Sequence, residues 1–326
     1  MMEGQIGGLL PFKWEKLYRR CILCPRSCKI DRTHFNKGYC RESYQLKVAY
    51  IGPHFGEEPP ISGERGSGTV FLSGCSLKCS YCQNYQISHK GMGEYINLFE
   101  MRDRILKMIE EYRVHNLNFV TPDHFFPHIF SLIYSLRKEG VYIPIIFNLS
   151  GYQSVEILKI AEPFCDIYLP DFKYSDPSLS QALSMCKDYP KVALDAISEM
   201  IRQKGFLSLD SNCIAKRGVL VRHLILPGKI KNSIDALSML FIEFGKELPL
   251  SLMSQYYPVI RNRDPDLNRI LREEEFNTVY EHALSLGFED LFVQLPEKYV
   301  PKQPPPFVPD FKRPYPFPLC KSKSSN

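Results

Sequence analysis

Residues 74–88 read GCSLKCSYCQNYQIS and place Cys75, Cys79 and Cys82 in the pattern C-x3-C-x2-C. They follow TVFLSG (69–74), an apolar run that reads as a buried strand closed by a glycine turn. Three thiolates on one loop can ligate three irons of a [4Fe–4S] cube, which needs four ligands. The fourth iron is then open, and an open position separates a catalytic metal site from a structural one. A zinc site completed by His89, or unligated thiols, are the competing readings of the same residues. The cluster suits the spacing better.

The other cysteines sharpen this. Seven of the eleven lie before residue 83. Four of these, Cys21, Cys24, Cys28 and Cys40, follow C-x2-C-x3-C-x11-C. Four thiolates complete either a tetrahedral zinc site or a cluster with no open position. Zinc would make the segment a structural cap, and a second cluster would suggest electron relay; a structural metal is the expectation. His34 is a substitute ligand, better read as a loop residue. Cys165, Cys186, Cys213 and Cys320 are scattered and read as small apolar side chains or a tail thiol.

Past residue 69 strands and helices alternate. Strands are expected at 69–74, 116–122, 143–151, 166–174, 218–228 and 248–256, with a last one at 288–294. Helices are expected at 98–113, 125–140, 154–162, 188–205, 232–245 (capped by Asn232 or Ser233) and 273–287. Near-continuous apolar strands imply a parallel sheet covered by helices. The fold class is therefore α/β. The expected architecture is a partial (β/α)6 TIM-like barrel with an N-terminal Cys-rich metal-binding segment; a doubly wound open sheet competes. The units are 1–66, the Cys-rich segment; 67–295, the barrel; and 296–326, a proline-rich tail. In such a barrel the loops at the strand C-termini build the site, which is where the three cysteines fall.

These residues resemble a known family. C-x3-C-x2-C with an aromatic before the last cysteine is similar to the radical S-adenosylmethionine (SAM) signature. GSGTVFLSGCSLKCSYCQNYQIS, EEPPISG, NFVTPDH, NLSGY, DIYLPDFKY, SEMIRQKG and RHLILPG resemble the pyruvate formate-lyase activating enzyme-like branch, a group of uncharacterised iron–sulfur proteins, over roughly residues 21 to 294. The resemblance implies a [4Fe–4S] cluster on Cys75, Cys79 and Cys82. It also implies SAM on the open iron, reductive cleavage to a 5′-deoxyadenosyl radical, and hydrogen abstraction from a substrate. It puts Tyr81 beside the adenine. Thr121, Asp123 and His124 take the position of a Gly-Gly-Glu motif that contacts the SAM amino group. Asn148 and Ser150 end the third strand, Lys173 of the Asp171-x-Lys173 pair meets the SAM carboxylate, and His223 faces the ligand end of the fifth strand. Bland readings stand beside these: Asp171 and Lys173 as an ion pair, His223 as a core histidine, Thr121 and Asp123 as helix caps. Glu57 and Glu58 are open between a solvated pair and a site-facing one.

Composition limits the partners. The net charge is +5, without a dense Lys/Arg stripe, so nucleic acid is not implied. No apolar run reaches membrane-span length and the start lacks a signal-peptide core, so a cytoplasmic setting is expected. The expected partners are a low-potential electron donor, a flavodoxin or ferredoxin, and a protein substrate if the activity is glycyl-radical activation. Modification of a small molecule or another protein group is the alternative. A non-catalytic metal-stabilised adaptor is the reading from a different class.

Overall fold

The computed structural model describes residues 12–296 and 304–317. Cys320 and both ends of the chain lie outside that range. The elements in order are α1 (Phe12–Arg19), β1 (Lys47–His54), α2 (Pro59–Ser62), β2 (Ser67–Leu72), α3 (Tyr85–Ser88), β3 (Glu94–Tyr95), α4 (Leu98–Tyr112), β4 (Leu117–Val120), α5 (Phe126–Lys138), β5 (Ile145–Leu149), α6 (Val155–Ala161), β6 (Ile167–Pro170), α7 (Pro177–Ser184), α8 (Tyr189–Lys204), β7 (Ser208–Leu209), β8 (Ala215–Val219), β9 (Val221–Leu224), α9 (Ile230–Phe244), β10 (Leu250–Met253), α10 (Glu273–Leu286) and β11 (Leu291–Gln294). No described helix is long and apolar enough to cross a membrane.

β2, β4, β5, β6 and β8 lie side by side, each parallel to the next. β9, β10 and β11 continue the parallel series. An Asp171–Arg222 bridge joins the two sheets where β6 ends and β9 begins. β8 and β9, one residue apart, both follow on from β6, and every other parallel strand neighbours its successor in sequence, so the order never reverses, as it would at the switch point of a doubly wound sheet. This is the partial βα barrel expected from the sequence, and six helical connections join its strands. Segment 1–66 also supplies β1, which pairs antiparallel with β2.

Strand parity sorts the barrel into two environments. Val70, Phe119, Phe147 and Tyr168 are register partners in turn and face the helices. One residue away, Asn118, Ile146 and Ile167 are aligned and face inward. Outside, Phe126 stacks on Phe130 at 5.1 Å, Phe130 on Phe164 at 4.5 Å, and Trp14 of α1 meets Phe130 edge-on at 5.3 Å. This aromatic stack fastens the N-terminal helix to the barrel wall.

Helix boundaries follow local chemistry. Asn97 and Ser154 accept hydrogen bonds from the amides of Glu100 and Ile157, and Gly205, Gly245 and Gly287 end α8, α9 and α10. The cap expected at Asn232 or Ser233 is not there, because α9 starts at Ile230. Asn232 instead accepts from the Ser175 amide and donates to the Lys173 carbonyl, tying α9 to the loop after β6. Because Phe130 is fully buried in the stack, Phe130→Ala should destabilise the protein by about 3–5 kcal/mol in denaturant titrations. Tyr134→Ala, on the exposed side of the same helix, should stay within about 0.5 kcal/mol.

Candidate active site

The cysteine loop leaves β2 through Gly74, whose φ is +86°. A side chain there would meet Glu42 Cγ at 2.5 Å, the Cys40 carbonyl at 2.9 Å and His124 Nε2 at 3.2 Å. Only glycine fits, both for conformation and for space. His124 holds the loop from below through Nε2 and the Ser73 carbonyl, 2.6 Å apart, and Ser76 donates to Asp123 Oδ2 at 2.7 Å. β4 ends at Val120, and the next residue, Thr121, with a φ of +54°, turns the chain under the loop. Asp123 and His124 are thus buried braces of the cysteine loop. Neither they nor Thr121 is among the residues lining the cavity described next.

That cavity, of about 210 Å³, opens at the C-terminal ends of the strands. Cys79, Tyr81 and Cys82 line it, together with Asn148, Asp171, Lys173, Glu57 and Arg222. Four of the expected SAM contacts, Tyr81, Asn148, Asp171 and Lys173, therefore share one chamber with two of the cysteines. Tyr81 is held edge-on by Tyr174 and tilted against Tyr256. Lys173 is ion-paired with Asp171. Burial lowers its pKa, but the Asp171 carboxylate and the nearby Cys79 more than offset this and keep the ammonium charged.

Ser150 is held by structure. Its hydroxyl accepts from the Tyr152 amide and from Gln153, and its carbonyl accepts from Tyr189. His223 is fully buried, with Nδ1 2.6 Å from the Phe172 carbonyl and Nε2 2.9 Å from Ser233 Oγ. The ligand-facing residue of that strand is its neighbour Arg222, one position out of parity. Arg222 donates from Nε to Glu58 Oε1 at 2.8 Å and from Nη2 to Glu57 Oε2 at 2.5 Å. Asn118 donates to Glu57 Oε1 at 2.8 Å. Glu57 and Glu58 are thus a buried, site-facing pair. Burial raises the Glu57 pKa, but Arg222 outweighs it and holds the carboxylate below its ordinary range. Sequence reading missed the role of Arg222; the signal lay in the alternation of RHLIL.

The donor set fits a cluster. The Leu77 amide donates to Cys75 Sγ and Ser88 Oγ to Cys82 Sγ, each at 3.3 Å. Lys173 stands close enough to lower the Cys82 pKa, although burial and Cys79 push that thiol up to about 11. Hydrogen bonds to sulfur and a nearby cation are what thiolate ligands require. Among the described residues no three His, Cys, Asp or Glu side chains are drawn tightly enough to hold one metal ion. A cube, held by one thiolate on each of three irons, spreads its ligands wider.

Residues 61–171 match the family model described as a 4Fe-4S single cluster domain, a range that includes Cys75, Cys79 and Cys82. The matched stretch runs from α2 to just past β6, so this likeness falls on the first half of the partial βα barrel. The uncharacterised protein MJ0674 of Methanocaldococcus jannaschii is 30% identical over 294 residues, 85% of this chain and 78% of that one. The chain belongs to the same family as MJ0674. Among solved structures HydG, a maturase of the [FeFe]-hydrogenase, superposes with a TM-score of 0.50 at 16% identity. The match covers 75% of this chain and 55% of HydG, so the chain spans about half of HydG's length. Methylornithine synthase (PylB) aligns at TM-score 0.42 and 14% identity, over 69% of this chain and 70% of PylB. The likeness to HydG is one of fold.

The setting of His223 has a pH consequence. Burial holds its pKa down at about 4, against an ordinary value of 6.5. The unfolded chain therefore binds the extra proton more readily. The contribution is complete above pH 6.5 and is lost as the pH falls toward 4, by at most about 1.4 kcal/mol per pH unit. Denaturant midpoints between pH 7 and 4 should show this slope, and His223→Gln should flatten it.

Proposed function

We propose that the protein is a radical SAM enzyme. The carrying observation is that Cys79 and Cys82, Tyr81 and the Asp171–Lys173 pair meet in one chamber at the C-terminal end of the barrel. Cys75, Cys79 and Cys82 would hold the [4Fe–4S] cluster, leaving one iron for SAM, and together these groups would supply a 5′-deoxyadenosyl radical. The chain's own residues bind and orient. Lys173 offers a fixed positive charge to a carboxylate. Tyr81 offers an aromatic face for a base. Asn148, at the inner end of β5, offers an amide. Phe71, Phe307 and Phe317 bring apolar surface to the wall, which helps keep water from a reactive intermediate.

Two finer readings concern the hydrogen donor: glycyl-radical activation in a partner protein, and modification of a small molecule or another protein group. The tail favours a small donor. Phe307 and Phe317 line the chamber, and Phe317 lies 4.1 Å from the His54 ring and 5.4 Å from Phe71. The Phe311 amide donates to Gln86 at 2.7 Å, beside the cysteine loop. A partner's backbone loop would have to displace this segment. A metal-stabilised adaptor without catalysis predicts a colourless protein that leaves SAM intact.

Anaerobically reconstituted protein with SAM and reductant should release methionine and 5′-deoxyadenosine, and Cys75→Ala should abolish both. Lys173→Met should weaken SAM binding roughly 10- to 100-fold, the worth of one charged hydrogen bond. Intact SAM after turnover with iron-loaded protein would contradict the reading. For the donor, 5′-deoxyadenosine should gain deuterium from a deuterated small-molecule extract; gain from deuterated protein alone would favour the activase.

A further inference from the structure

Cys21 and Cys40 lie beside a buried charge that forms no ion pair among the described residues. Arg32 is fully buried, at 0% exposure. Its Nη1 donates to the His124 carbonyl at 2.8 Å and lies 3.7 Å from Cys21 Sγ; its Nη2 donates to the Ser43 carbonyl at 2.5 Å. Its Nε has no partner, and no carboxylate pairs with it among the described residues. The ionisable groups that act most on it are Cys40, Tyr18 and Cys21. An unpaired buried guanidinium costs several kcal/mol. Thiolates supply the missing charge, and metal coordination is what deprotonates a buried thiol outright.

The backbone is shaped for a bound group. Ser27, Lys29 and Arg41, each beside a cysteine of the quartet, are non-glycine residues with φ of 43°, 56° and 68°. Such conformations persist only where the surroundings impose them. Cys28 Sγ and Cys40 Sγ converge on Gly38, 3.5 and 3.6 Å from where its Cβ would stand. The Tyr39 amide donates to Cys28 Sγ at 3.3 Å.

The quartet also touches the catalytic loop. Arg26, between Cys24 and Cys28, donates from Nε to the Ser76 carbonyl at 3.0 Å, and Ser76 follows Cys75. The Cys40 carbonyl packs on Gly74 on the other side of Cys75. Zinc, being redox-inert, could only hold this contact in place, whereas a cluster here could also pass an electron across it. Outside, Arg20, Lys29, Lys37 and Arg41 are exposed, and Ile22 and Phe35 add apolar surface at 47% and 59% exposure.

We propose that Cys21, Cys24, Cys28 and Cys40 hold a second [4Fe–4S] cluster, and that it passes one electron from an acidic low-potential carrier to the cluster of the Cys75 loop. The carrier is oxidised by one electron and the Cys75-loop cluster reduced by one; no bond or proton is exchanged. The relay rests on the radical SAM reading, whereas the second cluster does not. This replaces the structural metal expected from spacing alone.

Anaerobic iron, sulfide and zinc analysis separates the two centres. Wild type should hold about eight irons and eight sulfides, and a Cys75→Ala/Cys79→Ala/Cys82→Ala variant about four of each, with an EPR signal indifferent to SAM. Cys24→Ala/Cys28→Ala should keep about four irons and a SAM-responsive signal. Arg20→Glu/Lys37→Glu should slow reduction by flavodoxin roughly tenfold without changing reduction by dithionite. About one zinc and no iron in the triple variant would overturn the second cluster, even if the Cys24/Cys28 variant fails to fold. Unchanged flavodoxin kinetics in the charge-reversed protein would overturn the entry route. A triple variant with four irons beside a wild type that leaves SAM intact would sink the radical SAM reading alone.

Discussion

Everything at the candidate site depends on the close approach at Gly74. The chain must leave β2, turn at once, and carry three cysteines over the barrel mouth. The turn is tight because the main chain of Cys40 and the side chains of Glu42 and His124 fill the space a β-carbon would need. That contact fixes where Cys75 begins and how the N-terminal segment docks. With Asp123 under Ser76, His124 under Ser73 and Arg26 on the Ser76 carbonyl, the loop is held from several sides by groups that do not face the cavity. A ligand loop held this way is preorganised, as a site that must place a cofactor and a target atom together requires.

The chamber itself is an ionic structure in a largely apolar barrel. Arg222 is shared by Glu57 and Glu58, Lys173 is paired with Asp171, and a main-chain β-bridge between Asp171 and Arg222 sets the two ionic groups side by side at the junction of the sheets. Buried ion pairs of this kind add little net stability. Their value is positional: they keep charged side chains fixed at one end of the barrel, and losing one partner would strand the other. The loop carrying Glu57 and Glu58 thereby belongs to the site although it precedes the first barrel strand.

The architecture was legible because parallel βα units write themselves plainly: apolar strands, amphipathic helices, glycine stops. The cysteine loop was legible because three thiols at such spacing have few other uses. What the sequence concealed was facing. His223 was open between a ligand contact and a core histidine, and strand parity turns it toward Ser233 and turns Arg222 inward. Asn232 looked like a helix cap and is an inter-loop clamp. Asp123, aligned with a SAM-contacting position, is a brace beneath the loop. Each depends on which side of an element a residue occupies, and a pattern read with one residue of uncertainty in register cannot fix that. The ion cluster around Arg222 joins residues more than 160 positions apart, which local pattern does not report.

On the reading proposed above, the Cys75–Cys79–Cys82 loop holds a cluster with one open iron facing the Lys173 chamber. Mössbauer spectroscopy of iron-enriched Cys24→Ala/Cys28→Ala protein, with and without SAM, tests this most directly. The account predicts that one iron of the four changes its isomer shift when SAM is added, because only that iron lacks a cysteine. A spectrum unchanged by SAM, or four equivalent irons in both states, would contradict it.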